Sequence, residues 1–368
     1  MGEPIKTPNI GTKRLSTSLS NHIEMKTENT FVRNNAPVDL SIIIVNWNTG
    51  NLLDRCLTSI LQHTSGINYE IIVFDNNSGD NSRKVLESYP QVRAIFHHEN
   101  LGFARANNRA VPHARGEYIL FLNPDTELKD NLLPETVEFL KKSPYHVLGV
   151  RLRLPDGRIQ ISSGNFFSLK NMLFQNLFKI ALRFRFKKLV RWLSRRTGVP
   201  LSQYLNQPDL WDPFRIHSVD WVSGAFYLLR KDDFVAAGGF DEDFVLFAEE
   251  VDLSQRLARE GKRAVFYGRK EILHHSGASI KRFQSRSFVL HHLGTLRYYR
   301  KHRPLPEYHL YRLLMIFIYG TLYLIHSMRY LVSRSGQKRE MKEKLTGYRT
   351  LVREFLRPNL EGTSLQLS

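Results

Sequence analysis

The feature that most restricts the fold is an alternation. Short apolar runs, each closed by turn residues, are separated by stretches with helical spacing. Leu40–Val45 reads LSIIIV, Tyr69–Phe74 reads YEIIVF, Val92–His97 is a third such run, and Tyr118–Leu122 reads YILFL. Between them, Leu52–His63, Asn81–Tyr89 and Asn100–His113 read as helices. A continuous apolar run marks a strand covered on both faces, and strands alternating with helices are joined by crossovers. Together these predict an α/β fold, a mainly parallel sheet flanked by helices. Ligands in such sheets sit beyond the C-terminal ends of the strands, so the chemistry is sought there. Residues 1–37 are rich in Ser, Thr and Asn and lack apolar periodicity, which predicts a mobile tail.

Two strand ends carry acids. Asp75 follows YEIIVF directly, with Asn76, Asn77, Ser78 and Asp80 crowded behind it, and Asp125 follows YILFLNP. One such Asp ordinarily caps a turn. Two on one edge suit a polar ligand such as a nucleotide, and Asp125 suits a divalent cation, Mg²⁺ or Mn²⁺, which takes hard oxygen ligands and keeps positions open for phosphate. A third acidic group is FAEEVDLSQRL, Phe247–Leu257, where Glu249, Glu250 and Asp252 crowd the first turn of a helix. The helix dipole favours each by ~0.3–1 kcal/mol. Three together repel, so one of them is expected to have a raised pKa suited to a general base. Downstream, LHHSGAS brings His274 and His275, and a neutral imidazole beside a carboxylate is a reasonable metal ligand.

Several chemistries are excluded. The chain has no GxxxxGK[ST] loop, no GxGxxG after a strand and no GxSxG elbow. A diphosphate here needs a metal rather than a glycine cradle. The single cysteine, Cys56, permits no intramolecular disulfide and fits a reducing compartment. The first residues hold no apolar core of a secretory signal.

Taken in order, LSIIIVNWN, VFDNNSGD, ENLGFARANNRA, LFLNPDTEL, WVSGAFYLLRKDDFVAAGGFDEDF, FAEEVDLSQRL and ILHHSGAS resemble the family 2 nucleotide-sugar glycosyltransferases of GT-A fold. The branch is the rhamnosyltransferase-like one, of which NLGFARANN is the most typical piece. The likeness runs from about Asp39 to His302. It implies that Val45 and Asn46 border the nucleotide base, and that Asp75, with Asn77 beside it, binds base or ribose. Asn107 or Asn108 then lies along the donor. Asn123-Pro124-Asp125 stands at the DxD-type position, with Asp125 as metal ligand and His274 completing the metal or diphosphate site. Trp221, Gly224 and Ala225 floor the sugar and acceptor pocket. The family's catalytic base is an Asp where this chain has Glu250, and Asp252 and Glu249 are further candidates. The activity implied is metal-dependent, inverting hexosyl transfer from a dTDP- or UDP-linked sugar, rhamnose being what the branch suggests. The acceptor implied is a lipid-linked saccharide in surface polysaccharide synthesis.

The charge distribution points to a membrane. Of the net +18, residues 39–160 contribute −1 and residues 161–368 contribute +17. Nine Lys/Arg and no acid lie between Lys170 and Arg196, interleaved with Phe, Leu and Trp, within a basic insert spanning 165–215. Leu310–Val332 is apolar, but only Leu313–Met328 is free of charge, short of the ~20 residues of a spanning helix. That predicts an interfacial helix in a C-terminal helical region, 281–368, following a catalytic domain at 38–280. Aromatics riding with long aliphatics favour an anionic membrane surface over nucleic acid, and hence a peripheral enzyme on the cytoplasmic face. The rival reading is a non-catalytic basic membrane- or polymer-binding module on a degenerate transferase fold, for which the Glu at 250 is the one argument.

Overall fold

The structure is a computed structural model that describes residues 37–173, Trp192, Arg196, 214–244, 246–275, 284–332 and 335–357. The expected tail and most of the basic insert, including Arg183, Arg185, Lys187 and Lys188, lie outside the described residues, as do residues 276–279 of LHHSGAS.

In chain order, β1 (Leu40–Asn46), α1 (Gly50–His63), β2 (Tyr69–Asp75), α2 (Ser82–Glu87), β3 (Val92–Phe96), α3 (Phe103–Ala110) and β4 (Tyr118–Leu122) follow the predicted alternation. Next come β5 (Thr126–Leu128), α4 (Leu133–Lys142), β6 (Tyr145–Arg153), β7 (Ile159–Gln160) and β8 (Ser163–Gly164). After the insert, β9 (Ile216–Val219), β10 (Trp221–Val222), β11 (Phe226–Arg230), α5 (Lys231–Ala236), α6 (Glu249–Arg259) and β12 (Arg263–His274) complete the sheet region. The C-terminal helices are α7 (Gln284–His302), α8 (Leu305–Val332) and α9 (Ser335–Leu356).

The main sheet runs β3-β2-β1-β4-β11-β6-β12-β5, with β7 on β6 and β9 on β12. Its first four strands are parallel. β11 then runs antiparallel to both β4 and β6, so the sheet is mixed beyond β4. This reversal brings the start of β11 to the end of β4, where Asn123 N–H donates to the Ala225 carbonyl at 3.2 Å. The pleat sorts β1: Ile42 and Ile44 face one core with Leu53, Leu57 and Ile60 of α1, while Ile43 faces a second with Ala104 and Ala106 of α3 and Leu253 of α6. Each such aliphatic contributes about 1.5–3 kcal/mol on burial, which is why these runs carry no polar alternation.

A third core is built largely from tyrosines. Tyr298 and Tyr299 of α7, Tyr308, Tyr311 and Tyr319 of α8, and Leu351 and Phe355 of α9 pack together, and the Tyr299 and Tyr311 rings stack at 4.1 Å. The cluster extends to Phe244, Ala248 and Val251 around the start of α6, and to Trp221. The far side of α8 is the reverse. Leu313, Phe317, Leu324, Met328 and Leu331 repeat at helical spacing and are 62–79% exposed. The helix starts at Leu305, and its 28 residues are long and apolar enough to cross a membrane, whereas the charge-free stretch Leu313–Met328 alone is short of a span.

Candidate active site

The first part of the site lies where β1 and β2 end side by side. Parallel register sets Asn46 opposite Asp75. Both are buried, and Asn46 Nδ2 donates to Asp75 Oδ2 at 2.9 Å and to Ser82 Oγ at 2.8 Å. Thr49 Oγ1 donates to Asn46 Oδ1 at 2.6 Å, and Ser78 N–H donates to Asp75 Oδ1 at 2.9 Å. Asn77 turns the chain out of β2 with φ 64°, a left-handed conformation that Asn tolerates. A carboxylate has about four lone-pair positions, so Asp75 keeps acceptor capacity for a ligand. Asn76 accepts Leu101 N–H at 2.8 Å, fixing the turn that leads into α3.

The two asparagines of α3 differ. Asn107 is buried and donates to the Phe103 carbonyl at 3.0 Å. Asn108 donates to the Phe240 carbonyl at 2.8 Å and accepts from Phe240 N–H at 2.9 Å, latching α3 to the GGF loop. Gly239 is required there, since a Cβ on it would meet Asn108 Oδ1 at 2.7 Å.

The second part joins Asp125 to His274. Antiparallel pairing of β5 and β12 sets His274 opposite Thr126, and His274 Nε2 lies 3.2 Å from Asp125 Oδ1. On the other side of the ring, Nδ1 lies 2.7 Å from Gln160 Oε1. With Nδ1–H donating to that amide oxygen, the Nε2 lone pair faces a carboxylate oxygen. Two acceptors at this distance need a cation or proton between them, so this pair fits a divalent metal, with the amide as the outer partner that orients the imidazole. Both residues are nearly buried, at 8% and 7% exposure. Among the described residues no three His, Cys, Asp or Glu side chains gather to hold a metal. A cation held by this pair would have to take its other ligands from phosphate and water, as Mg²⁺ commonly does. His275 does different work: its N–H donates to the Asp125 carbonyl, and its Nε2 pairs with Glu127, which Arg55 and Lys129 also neutralise.

The third part is the acidic start of α6. Phe247 and Ala248 both have left-handed φ, 70° and 71°. Such backbone costs about 1–2 kcal/mol per non-glycine residue and persists only where its surroundings hold it. Glu249 and Glu250 follow, and Oε2 of each is buried with no partner among the described residues. Burial pushes Glu250 up to about 7, against a partial pull downward from backbone N–H groups. Burial, and then the charge of Glu250, hold Glu249 well above the usual carboxylate range. Asp252 is the opposite case. Burial alone would raise it, but His302 Nε2 at 2.6 Å, Arg256 Nε at 2.9 Å and Lys301 Nζ at 2.8 Å bring it down to about 2. The three acids that look alike in sequence thus separate into an anion caged by three bases and a pair that resists ionisation.

The residues expected to floor the sugar pocket also have places. Trp221 lies on Gly164, where a Cβ would meet the indole at 2.5 Å, and its Nε1 donates to the Asn165 carbonyl at 3.0 Å. Gly224 and Ala225 form the turn into β11, and Gly224 faces the Phe103 ring. Val45 is half-buried at the end of β1. Sequence reasoning does not reach Gln160, Lys301 or His302. The PDG turn at 155–157 signals the hairpin that delivers Gln160, but nothing in sequence aims its amide at His274.

The sequence profile of Glycosyl transferase family 2 matches residues 41–200. The N-acetylglucosaminyl-diphospho-decaprenol L-rhamnosyltransferase of Mycobacterium tuberculosis is 27% identical over 269 residues, 70% of this chain and 82% of that protein. The rhamnosyltransferase WbbL of Escherichia coli K12 is 24% identical over 283 residues, 75% of this chain and 98% of that protein. Among solved structures, the mannosyltransferase PcManGT of Pyrobaculum calidifontis, in complex with GDP-Man and Mn²⁺, superposes with a TM-score of 0.50 at 15% identity. The match covers 87% of this chain and 89% of that one, and it shows the shared GT-A fold.

Proposed function

Since this chain is a family 2 glycosyltransferase of the rhamnosyltransferase-like kind, we propose that it transfers a hexose, rhamnose by the nature of its relatives, from a dTDP- or UDP-linked donor to a lipid-linked saccharide with inversion. The observation that carries the mechanism is the contrast within the acid cluster. A general base must lose its proton near working pH and have a free oxygen for the incoming one. Glu250 has both, a buried unpartnered Oε2 and a carboxyl raised to about 7. Asp252 has neither, since His302, Arg256 and Lys301 hold it as an anion. Glu250 therefore takes the acceptor hydroxyl proton as that oxygen attacks the anomeric carbon opposite the departing diphosphate.

The shelf of Asn46, Asp75 and Asn77 receives base and ribose, and Asn107, Asn108 and Asn123 border the donor. Trp221, Gly224 and Ala225 floor the pocket. Asp125 and His274 would hold Mg²⁺ or Mn²⁺, which when bound balances charge on the diphosphate leaving group. PcManGT, whose structure holds GDP-Man together with Mn²⁺, supports this reading.

Two observations support a membrane-presented acceptor. The Mycobacterium tuberculosis relative is named for a diphospho-decaprenol substrate. The aliphatic face of α8 is exposed while its tyrosine face packs on α7 and α9. With α8 packed along one side on the charged helices α7 and α9, we read it as lying on the bilayer rather than across it. The enzyme is then a catalytic domain, 38–280, attached by region 281–368 to the cytoplasmic face of the cell membrane. The test is incubation with a panel of nucleotide sugars, Mg²⁺ or Mn²⁺ and a polyprenyl-diphosphate-linked saccharide, following release of nucleoside diphosphate. Release that needs the metal, stops with EDTA and yields an inverted glycoside is expected. No release with any donor, or a product of retained configuration, contradicts the proposal.

A further inference from the structure

Helix α7 carries none of the motifs of the family likeness, the last of which ends at Ser279, yet it touches the acid-bearing helix and the turn before it. Four contacts define this. First, Gly294 of α7 lies against the left-handed turn before Glu249: a Cβ there would clash with the Phe247 carbonyl oxygen. Second, the His291 ring meets the Phe247 ring edge-on, with centroids 5.4 Å apart. Third, Tyr298 Oη donates to Gln255 Oε1 of α6 at 2.6 Å. Fourth, the C-terminal end of α7 supplies Lys301 and His302 to the fully buried Asp252, and Lys301 Nζ also binds Asp241 at 2.5 Å.

The left-handed pair at Phe247 and Ala248 sets the direction in which α6 starts, and so where the carboxylates of Glu249 and Glu250 point. That backbone is costly and must be held from outside. α7 supplies the hold at both ends: close backbone approach at Gly294, and charge pairing at Asp252, one turn into α6. A glycine inside a helix is destabilising by about 1 kcal/mol relative to Ala, so its presence at 294 needs a reason, and the Phe247 carbonyl is one. We infer that α7 is a positioning element for the transfer reaction: Gly294, Lys301 and His302 fix the start of α6 and thereby the Glu250 carboxylate. The inference rests on the reading of Glu250 as the base.

The groups facing this region are few. Around Asp252 they are Arg256 on its own helix, Lys301, His302 and Tyr298 on α7, and Tyr227 on β11. Around the glutamates they are each other, Asp252, and Tyr227 on β11, whose hydroxyl pairs with Ser254 at 2.9 Å. Charge changes at Asp252 should therefore be felt at the base with a definite sign. Removing the Lys301 cation leaves more net negative charge, which favours the protonated base and moves the acid limb of the kcat profile to higher pH. Removing the Asp252 anion does the opposite.

The experiment compares Lys301→Met, Asp252→Asn, His302→Gln and Gly294→Ala with wild type, using the donor that the panel selects. Far-UV CD and thermal melts check folding, and Lys301→Met, at a partly exposed side chain, secures a folded variant. The expected result is a kcat loss on the order of 10–100-fold for Gly294→Ala and His302→Gln with donor KM within about twofold of wild type. Acid limbs should shift in opposite directions for Lys301→Met and Asp252→Asn. A Gly294→Ala enzyme that is more stable and fully active, limbs that stay in place, or donor KM rising in step with the loss of kcat would overturn the inference. If Glu250→Gln is itself active, the base assignment fails; if Glu250→Gln is dead while these variants behave as wild type, only the positioning role fails.

Discussion

At the scale of single residues, burial and pairing divide roles that composition leaves equal. Glu250 carries its proton more tightly in the folded chain than its ordinary value of 4.5, at about 7. A raised folded value contributes stability that is full below the unfolded pKa and lost as pH rises through the folded one. Glu250→Gln, which never ionises, should therefore melt a few degrees above wild type at pH 8.5 and together with it at pH 4.5. Equal melting at both pH values would mean that the carboxyl is not strained by burial. Asp252 works the other way: its pairing stabilises above pH 3.8 and is lost as pH falls toward 2. At the proposed metal pair, Asp125→Ala and His274→Ala should each abolish Mn²⁺-dependent turnover with the fold intact, and Mn²⁺ binding read by calorimetry should fall with it. Unchanged Mn²⁺ affinity in both would remove the metal assignment. Sequence brings Asp125 and His274 forward because acids at strand ends and a histidine in a carboxylate setting have a stated chemistry. It cannot rank Glu250 against Asp252, because that ranking depends on Lys301 and His302, some fifty residues away.

At the scale of elements, the parallel half is legible in the sequence and the rest less so. β1, β2, β3 and β4 are mostly apolar, so the apolar runs and turn residues find their bounds within a residue or so. The short β5, β7, β8 and β10 have no such signal, since two or three residues cannot show a period. β12 hides its 12 residues behind Arg269, Lys270 and Glu271, where its pairing with β6 slips register. α8 is visible as an apolar stretch, but it begins earlier than the stretch does, because Leu305–His309 mixes charge with apolar residues. Its exposed aliphatic stripe gives the prediction at this scale. Replacing Leu313, Phe317, Leu324 and Met328 by Gln should lower partition to anionic vesicles in sedimentation by at least about tenfold, since each buried aliphatic is worth about 1.5–3 kcal/mol. Turnover with a soluble acceptor should be unchanged. Undiminished sedimentation of the variant would remove α8 as the attachment face, and wild-type protein that resists alkaline carbonate extraction would mean that α8 spans the bilayer.

For the whole molecule, charge and chemistry are divided along the chain. The half that holds the proposed nucleotide shelf is nearly neutral, and the basic excess lies with the insert and the C-terminal helices. α7 belongs to both, reaching the acid cluster through Lys301 and His302 and the tyrosine core through Tyr298 and Tyr299. The central claim is that Glu250 is the base of a single-displacement transfer, and one paired measurement tests it most directly. Glu250→Gln and wild type are compared for nucleoside diphosphate release and for Mn²⁺-dependent affinity for UDP and dTDP. The expected result is turnover reduced roughly 10²–10⁴-fold with nucleotide affinity within about twofold of wild type. Turnover near the wild-type rate, or affinity lost in step with turnover, would contradict it.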